Sequence, residues 1–331
     1  MLEQGTVEGA WKAAAIRMVE PWSEPIVLRN LLCAVDFSEC SYQALRYAAE
    51  IARHFGSQLY IQHILSLPPE ASWHEDPSGW TKERVRGARR IAEHGLRRLH
   101  AEADLSGLNV TFLLTDGVPG SRILETVGER KIDLLVIGTH ARRGIKRLVE
   151  GSLAERLVHE AICPVLVAAP PRESMPALPE PGALAFQTIL MATDFSRSAD
   201  RALTYALRWA AEWGGRVLLL HAVEPVSAAP QSLASLFPES DASLEAHIRS
   251  AWEKMRVLVP DPALARCRID YEVRSGNAAE QILDCAQERK ADLIVLGARG
   301  VGRASLTWGS TLSQVVRAGR FPVMALRHLG L

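Results

Sequence analysis

The sequence predicts two tandem Rossmann-like, doubly wound α/β domains, each a five-stranded parallel sheet with helices on both faces. Three observations carry this. First, Asn30-Leu-Leu-Cys-Ala-Val-Asp36-Phe-Ser38 returns as Thr188-Ile-Leu-Met-Ala-Thr-Asp194-Phe-Ser196, and Asp36, His63 and Pro164 each recur 158 residues later as Asp194, His221 and Pro322. A period of that length is a whole domain rather than a solenoid unit. Second, strand-sized apolar runs alternate with helical stripes. Third, runs such as Leu134–Ile137 and Leu293–Leu296 are apolar throughout, as strands covered on both faces must be.

The elements follow in order. Leu31–Val35 is a short apolar run that stops at Asp36. Ser38 stands where a helix N-cap belongs, and Ala44, Leu45, Ala48, Ile51, Ala52 and Phe55 follow at helical spacing until Gly56. Gln58–Ile64 supplies the second strand. Residues 79–104 form a helix with Val85, Ala88, Ala92, Leu96 and Leu99 on one stripe. Asn109–Leu114, Ser121–Arg130 and Asp133–Ile137 read as strand, helix and strand. Gly151-Ser152 opens the last helix and Pro164–Ala168 is the final strand. The second copy places strands near 188–193, 216–222, 268–273, 292–296 and 322–327, with helices near 197–213, 240–258, 277–289 and 310–319.

Residues 29–169 and 186–328 are therefore the two domains. The proline-rich stretch 170–185 is a semi-rigid linker. Residues 1–28 have no counterpart in the second copy; they read as an arm, or as extra translated sequence ahead of Met18. In 331 residues, 38 Lys+Arg balance 38 Asp+Glu, which argues against nucleic acid as an obligatory partner. Five cysteines without a C-x-x-C pair suit a reducing compartment. Apolar runs are too short to span a bilayer, so a cytoplasmic chain without a membrane partner is expected.

In a doubly wound sheet, ligands sit beyond the carboxyl ends of the strands where strand order reverses. Two features meet there in each copy. One is the acid closing strand one, Asp36 or Asp194. The other is a glycine-bearing loop after strand four, Gly138 to Gly151-Ser152 or Gly297-Ala-Arg-Gly300 to Gly309-Ser310. Helices opened at Ser152 and Ser310 aim free N–H groups at an anion. The alternative for each aspartate is a carboxylate that merely orders the strand–helix turn; for each serine it is plain capping. Arg142, Arg143, Lys146 and Arg147 are more often a solvated basic loop than phosphate ligands. His63 and His221 read as structural, and Trp209, Trp213 and Trp252 as packing residues on helical stripes. No Walker, H-E-x-x-H or G-x-S-x-G motif appears, so no catalytic residue is expected.

These residues resemble the universal stress protein family in its tandem form, over nearly the whole chain outside the arm and linker. The resemblance rests on the D-F-S starts, the loops, and the terminal strands Cys163-Pro-Val-Leu-Val167 and Phe321-Pro-Val-Met-Ala325. It implies an adenine nucleotide alpha hydrolase-like fold with strand order 3-2-1-4-5. It also implies a stress-response module that binds ATP or another adenine nucleotide, with Mg²⁺ held by phosphate oxygens and water rather than by protein. Carried onto this sequence, the preferred binding residues are Ala34, Val35, Asp36, Ile64, Ile137, Gly138, Ala141, Gly151, Ser152 and Leu153. The second copy offers Ala192, Thr193, Asp194, Ala222, Leu296, Gly297, Gly300, Gly309, Ser310 and Thr311.

Both loops depart from the family pattern. Ala141 replaces the second glycine of the first loop; where φ must be positive its methyl costs about 1 kcal/mol, and otherwise it crowds a phosphate. The second loop keeps both glycines but is one residue short before Gly309, which moves its amides out of register, so the first copy is preferred. The resemblance further implies an intramolecular pseudo-dimer packed through Pro164–Ala168 and Pro322–Leu326, with a homodimer of the fused chain as a further assembly. Two alternatives remain: a nucleotide-free interaction scaffold with decayed loops, and a slow ATPase.

Overall fold

The computed structural model describes residues 24–66, 82–102, 104–138, 153–169, 184–224, 241–259, 266–298 and 310–327. The first copy runs β1 (Asn30–Ala34), α1 (Glu39–Phe55), β2 (Gln58–Leu65), α2 (Lys82–Glu102), β3 (Asn109–Asp116), α3 (Pro119–Glu129), β4 (Leu134–Gly138), α4 (Leu153–Glu160) and β5 (Val165–Ala168). The second runs β6 (Thr188–Ala192), α5 (Arg197–Glu212), β7 (Arg216–Val223), α6 (Asp241–Leu258), β8 (Arg268–Ser275), α7 (Ala278–Glu288), β9 (Leu293–Gly297), α8 (Ser310–Ala318) and β10 (Val323–Leu326).

The chain divides into two compact units, one formed by Val27–Leu184 with Val316–Leu331 and the other containing Ala185–Val315. In the first, the strand order is β3-β2-β1-β4-β5-β10. The five strands of the first copy are parallel, and β10 joins antiparallel to β5 with Val323 opposite Val167 and Met324 opposite Leu166. The terminal strands thus pair as the resemblance implies. Glu155 of α4 is buried there and accepts from Arg317 at 2.9 Å. In the second unit, β8-β7-β6-β9 repeat the order 3-2-1-4, all parallel.

Local chemistry explains the elements. Ser38 is extended and its hydroxyl accepts the Ser41 amide at 3.2 Å, while Ser196 does the same for Ala199 at 3.2 Å. These bonds satisfy amides that a helix start leaves unpaired. Leu31, Leu32 and Cys33 are fully buried, as are Ile189, Leu190 and Met191, because helices cover both faces of these central strands. Several strand and helix boundaries shift from the sequence reading by one to three residues, and two of the shifts have a plain local cause. α3 begins at Pro119 rather than Ser121, since proline at N1 needs no amide partner and has its φ preset. β4 begins at Leu134, because Asp133 is spent as a latch. Its carboxylate accepts the Arg29 and Asn30 amides at 2.7 and 2.9 Å, and its own amide donates to Asn30 O at 2.8 Å. Asp292 and Thr188 repeat this exchange at 2.8 Å in both directions.

Part of the segment assigned to the arm is tied down. Arg208 on α5 donates to the carbonyls of Glu24 and Pro25 at 2.8 and 2.6 Å, and the Leu28 carbonyl accepts from the Ser57 hydroxyl at 2.6 Å.

At the β8 side of the second unit, Arg274 joins Glu272 and Glu288, the latter at 2.6 Å, while Arg289 reaches Glu272 at 2.8 Å. The hydrogen bond from Arg274 holds the Glu288 carboxyl below the usual carboxylate range. A depressed folded pKa means stability present above the unfolded value of about 4.3 and lost as pH falls through the folded one. Glu288→Gln is therefore expected to lower the urea midpoint at pH 7, with the difference from wild type closing as pH falls through the depressed folded value. An undiminished difference in acid would show that the pair contributes nothing through charge.

Candidate functional site

The sheet register gathers the expected residues of the first copy at one end. Ala34 is opposite Gln62 on one side and Ile137 on the other. One and two steps further, Val35 and Asp36 draw level with His63 and Ile64, and Val35 with Gly138. In the second copy Ala192 faces Leu220, and Met191 faces Val295, so Thr193 and Asp194 reach the level of Gly297 and Ala222. Asp36 and Asp194 are exposed, whereas Val35, Ile137, Thr193 and Leu296 are buried. Ile64 and Ala222 are half-buried, and Leu153 at the start of α4 is 45% exposed.

Each aspartate also organises its own turn. Asp36 Oδ1 accepts the Ser38 amide at 3.0 Å, and Asp194 Oδ1 accepts the Ser196 amide at 3.0 Å. That is the turn-ordering role weighed against ligand binding, and an aspartate has lone pairs for both. Burial, with the Asp36 and Glu39 carboxylates adding to it, pushes the Cys40 thiol above its ordinary range. Cys40 is thus a protonated thiol and a poor nucleophile.

Gly138 and Gly297 have a second explanation that spacing does not reveal. A Cβ built on Gly138 would lie 2.5 Å from the Cys40 carbonyl oxygen, and one on Gly297 would lie 2.8 Å from Ser198. The first turn of α1 or α5 rests directly on the end of β4 or β9, and only glycine fits beneath it. The first glycine of each loop is therefore required by helix packing whether or not a ligand binds.

Ala141, Gly151, Ser152, Gly300 and Gly309 lie outside the described residues, as do Arg142, Arg143, Lys146 and Arg147. Ser310 opens α8, with Thr311 half-buried behind it. Among the described residues, no three His, Cys, Asp or Glu side chains are grouped to hold a metal ion. No helix among them is long and apolar enough to cross a membrane.

Sequence reasoning missed Phe37 and Phe195, which sit between the acid and the cap at φ 61° and 59°. It also gave His63 and His221 no specific partner. Their imidazoles contact the Val35 and Thr193 carbonyls at 2.8 and 2.7 Å. The shared 158-residue offset was the available signal, since both residue types recur with the aspartate.

Two parallel α/β copies with an acid at the switch point define a doubly wound α/β class of protein, and comparison with known proteins narrows it. A family model described as "Universal stress protein family" matches residues 28–169 and 185–327. Universal stress protein Rv1996 of Mycobacterium tuberculosis is 26% identical over 325 residues, covering 90% of this chain and 95% of that protein. A Thermus aquaticus universal stress protein is 39% identical over 146 residues, which is 43% of this chain and 99% of the relative. The crystal structure of a universal stress protein from Archaeoglobus fulgidus superposes with a TM-score of 0.63 at 21% identity, covering 90% of this chain and 96% of its own. That likeness shows the fold. The chain belongs to the universal stress protein family, with two copies of the family domain in tandem.

Proposed function

We propose that the chain is an adenine-nucleotide-binding regulatory module whose working site lies in the first copy, at the carboxyl ends of β1, β2 and β4. The two domains, residues 29–169 and 186–328, flank a linker at 170–185. The observation that carries this reading is the exposed Asp36 carboxylate directly after β1 and Val35, at the strand end it shares with half-buried Ile64 and Gly138. An acid beside an apolar shelf suits a nucleoside, with the carboxylate accepting from ribose or base N–H and O–H groups while the base covers aliphatic surface. Ala34, Val35, Ile64 and Ile137 would line the base side, and Asp36 would orient it. Gly138, the Ala141 amide, Gly151, Ser152 and Leu153 would follow the phosphates. Bound Mg²⁺ would neutralise phosphate charge through oxygen and water ligands. The second copy offers the corresponding set around Asp194 with a shortened loop.

A second reading is favoured by one observation: Gly138 and Gly297 are both accounted for by helix packing. On that reading the chain is a nucleotide-free scaffold. Thermal unfolding with and without Mg-ATP separates the two. At about a hundredfold its dissociation constant, a ligand adds about 2.7 kcal/mol. Asp36→Ala is expected to remove that shift while changing the ligand-free midpoint little, because the carboxylate is exposed. No shift at millimolar Mg-ATP supports the scaffold. Rapid phosphate release abolished by Asp36→Ala would instead identify an ATPase.

A further inference from the structure

We infer that His63, and His221 in the second copy, are positioning residues that set the direction of the Asp36 or Asp194 carboxylate. The inference rests on the reading of Asp36 as the adenosine-side ligand. The parallel ladder runs one residue past β1, where the Val35 amide donates to Gln62 O at 2.9 Å. The Val35 carbonyl then meets His63 Nδ1 at 2.8 Å. A carbonyl oxygen only accepts, so Nδ1 carries a proton and donates. The second copy repeats both contacts, Thr193 N to Leu220 O at 2.9 Å and His221 Nδ1 to Thr193 O at 2.7 Å.

The same ring grips the other side of the aspartate. The His63 and Phe37 rings lie 4.3 Å apart, and His221 and Phe195 lie 4.5 Å apart. Phe37 at φ 61° is in the left-handed region, which strains an L-residue and persists only where surroundings hold it. One imidazole therefore fixes the carbonyl before Asp36 and the ring after it. The carboxylate between them is further held by the Ser38 amide.

The third wall of this cluster is the helix between strands two and three in both copies, but the residue it presents differs. In the first it is α2, where a Cβ on Gly95 would come within 2.7 Å of the Phe37 ring. In the second it is α6, whose Lys254 ammonium lies 5.5 Å from the centre of the Phe195 ring. The imidazole bracket is kept on both sides while the residue packed against it is not. A residue that only filled space would follow its neighbours.

The test uses the full chain with His63→Leu, which keeps bulk but has no donor, and His63→Asn, whose amide N–H can reach the same carbonyl. The ligand-independent readout is the Ser38 amide resonance, which reports the bond to Asp36. The ligand probes are Mg-ATP, adenosine and inorganic tripolyphosphate, each titrated by calorimetry. In H63L the Ser38 resonance should move, and adenosine and Mg-ATP should both bind about tenfold more weakly, the equivalent of one lost hydrogen bond. Tripolyphosphate affinity should stay within twofold. H63N should return adenosine affinity to within about threefold of wild type.

An unmoved Ser38 resonance with unchanged adenosine affinity in H63L overturns the inference. So does equal loss for all three probes, or equal loss in both variants, since a merely structural role predicts either. Wild-type protein that binds none of the probes refutes the nucleotide reading instead, and the Ser38 resonance then decides the role of His63 alone. If H63L does not fold, H63N decides by the same criterion: retained adenosine affinity supports the inference and a tenfold loss overturns it.

Discussion

Trp209→Ala is expected to destabilise the second unit by about 3–5 kcal/mol, the range for deleting a fully buried aromatic ring. Trp209 lies on the inner face of α5 with no exposed surface. Its ring stacks on Tyr205 at 5.7 Å with the planes 22° apart, and it meets the Phe186 ring at 5.6 Å. Phe186 is itself buried and packs edge-on against Trp213 at 5.5 Å. Removing Trp209 takes contacts from two further aromatics and leaves a cavity in a fully buried place. Trp213→Ala should cost less, because Trp213 is half-exposed at the end of α5. Urea unfolding followed by circular dichroism measures both. A loss under about 1 kcal/mol for Trp209→Ala would contradict the packing described for this face.

Gly138→Ala should cost about 1–3 kcal/mol and disturb the site as well. The added Cβ would sit 2.5 Å from the Cys40 carbonyl oxygen and 2.6 Å from its carbon, and 2.9 Å from the Ser41 amide nitrogen. All three are backbone atoms in the first turn of α1, so no side chain can swing aside. Relief requires α1 to lift from β4, carrying Ser38 and the Asp36 turn with it. Gly87→Ala is the control. It lies inside α2 with nothing within 4 Å of the new methyl, and should stabilise by about 0.5–1 kcal/mol. Equal midpoints for the two variants would show that helix α1 is not seated on Gly138.

The duplicated architecture was legible because its signals are local or periodic. Apolar runs such as Leu134–Ile137 become strands wherever helices cover both faces, and Ser38 and Ser196 cap the helices expected of them. Asp36 could be placed at the switch point from its position after β1. What stayed hidden depends on contacts between distant segments. Nothing in the spacing of Gly138 shows that Cys40 lies against it, about a hundred residues earlier in the chain. The Asp133 latch read as the start of a strand, because a carboxylate before an apolar run gives no hint that its partners are the Arg29 and Asn30 amides. The left-handed Phe37 was invisible for the opposite reason: a bulky residue is the wrong choice there by local propensity, and its packing against the His63 ring and α2 is what holds it. At the candidate site, sequence supplied the acid and the strand ends, and structure supplied the histidine bracket between them.

Calorimetric titration of the intact chain with Mg-ATP, run in parallel on Asp36→Ala and Asp194→Ala, addresses the central claim most directly. Binding to wild type with one site per chain, lost in Asp36→Ala and kept in Asp194→Ala, is the predicted result. Absence of heat with wild type at any accessible concentration, or binding that survives Asp36→Ala unchanged, would contradict it.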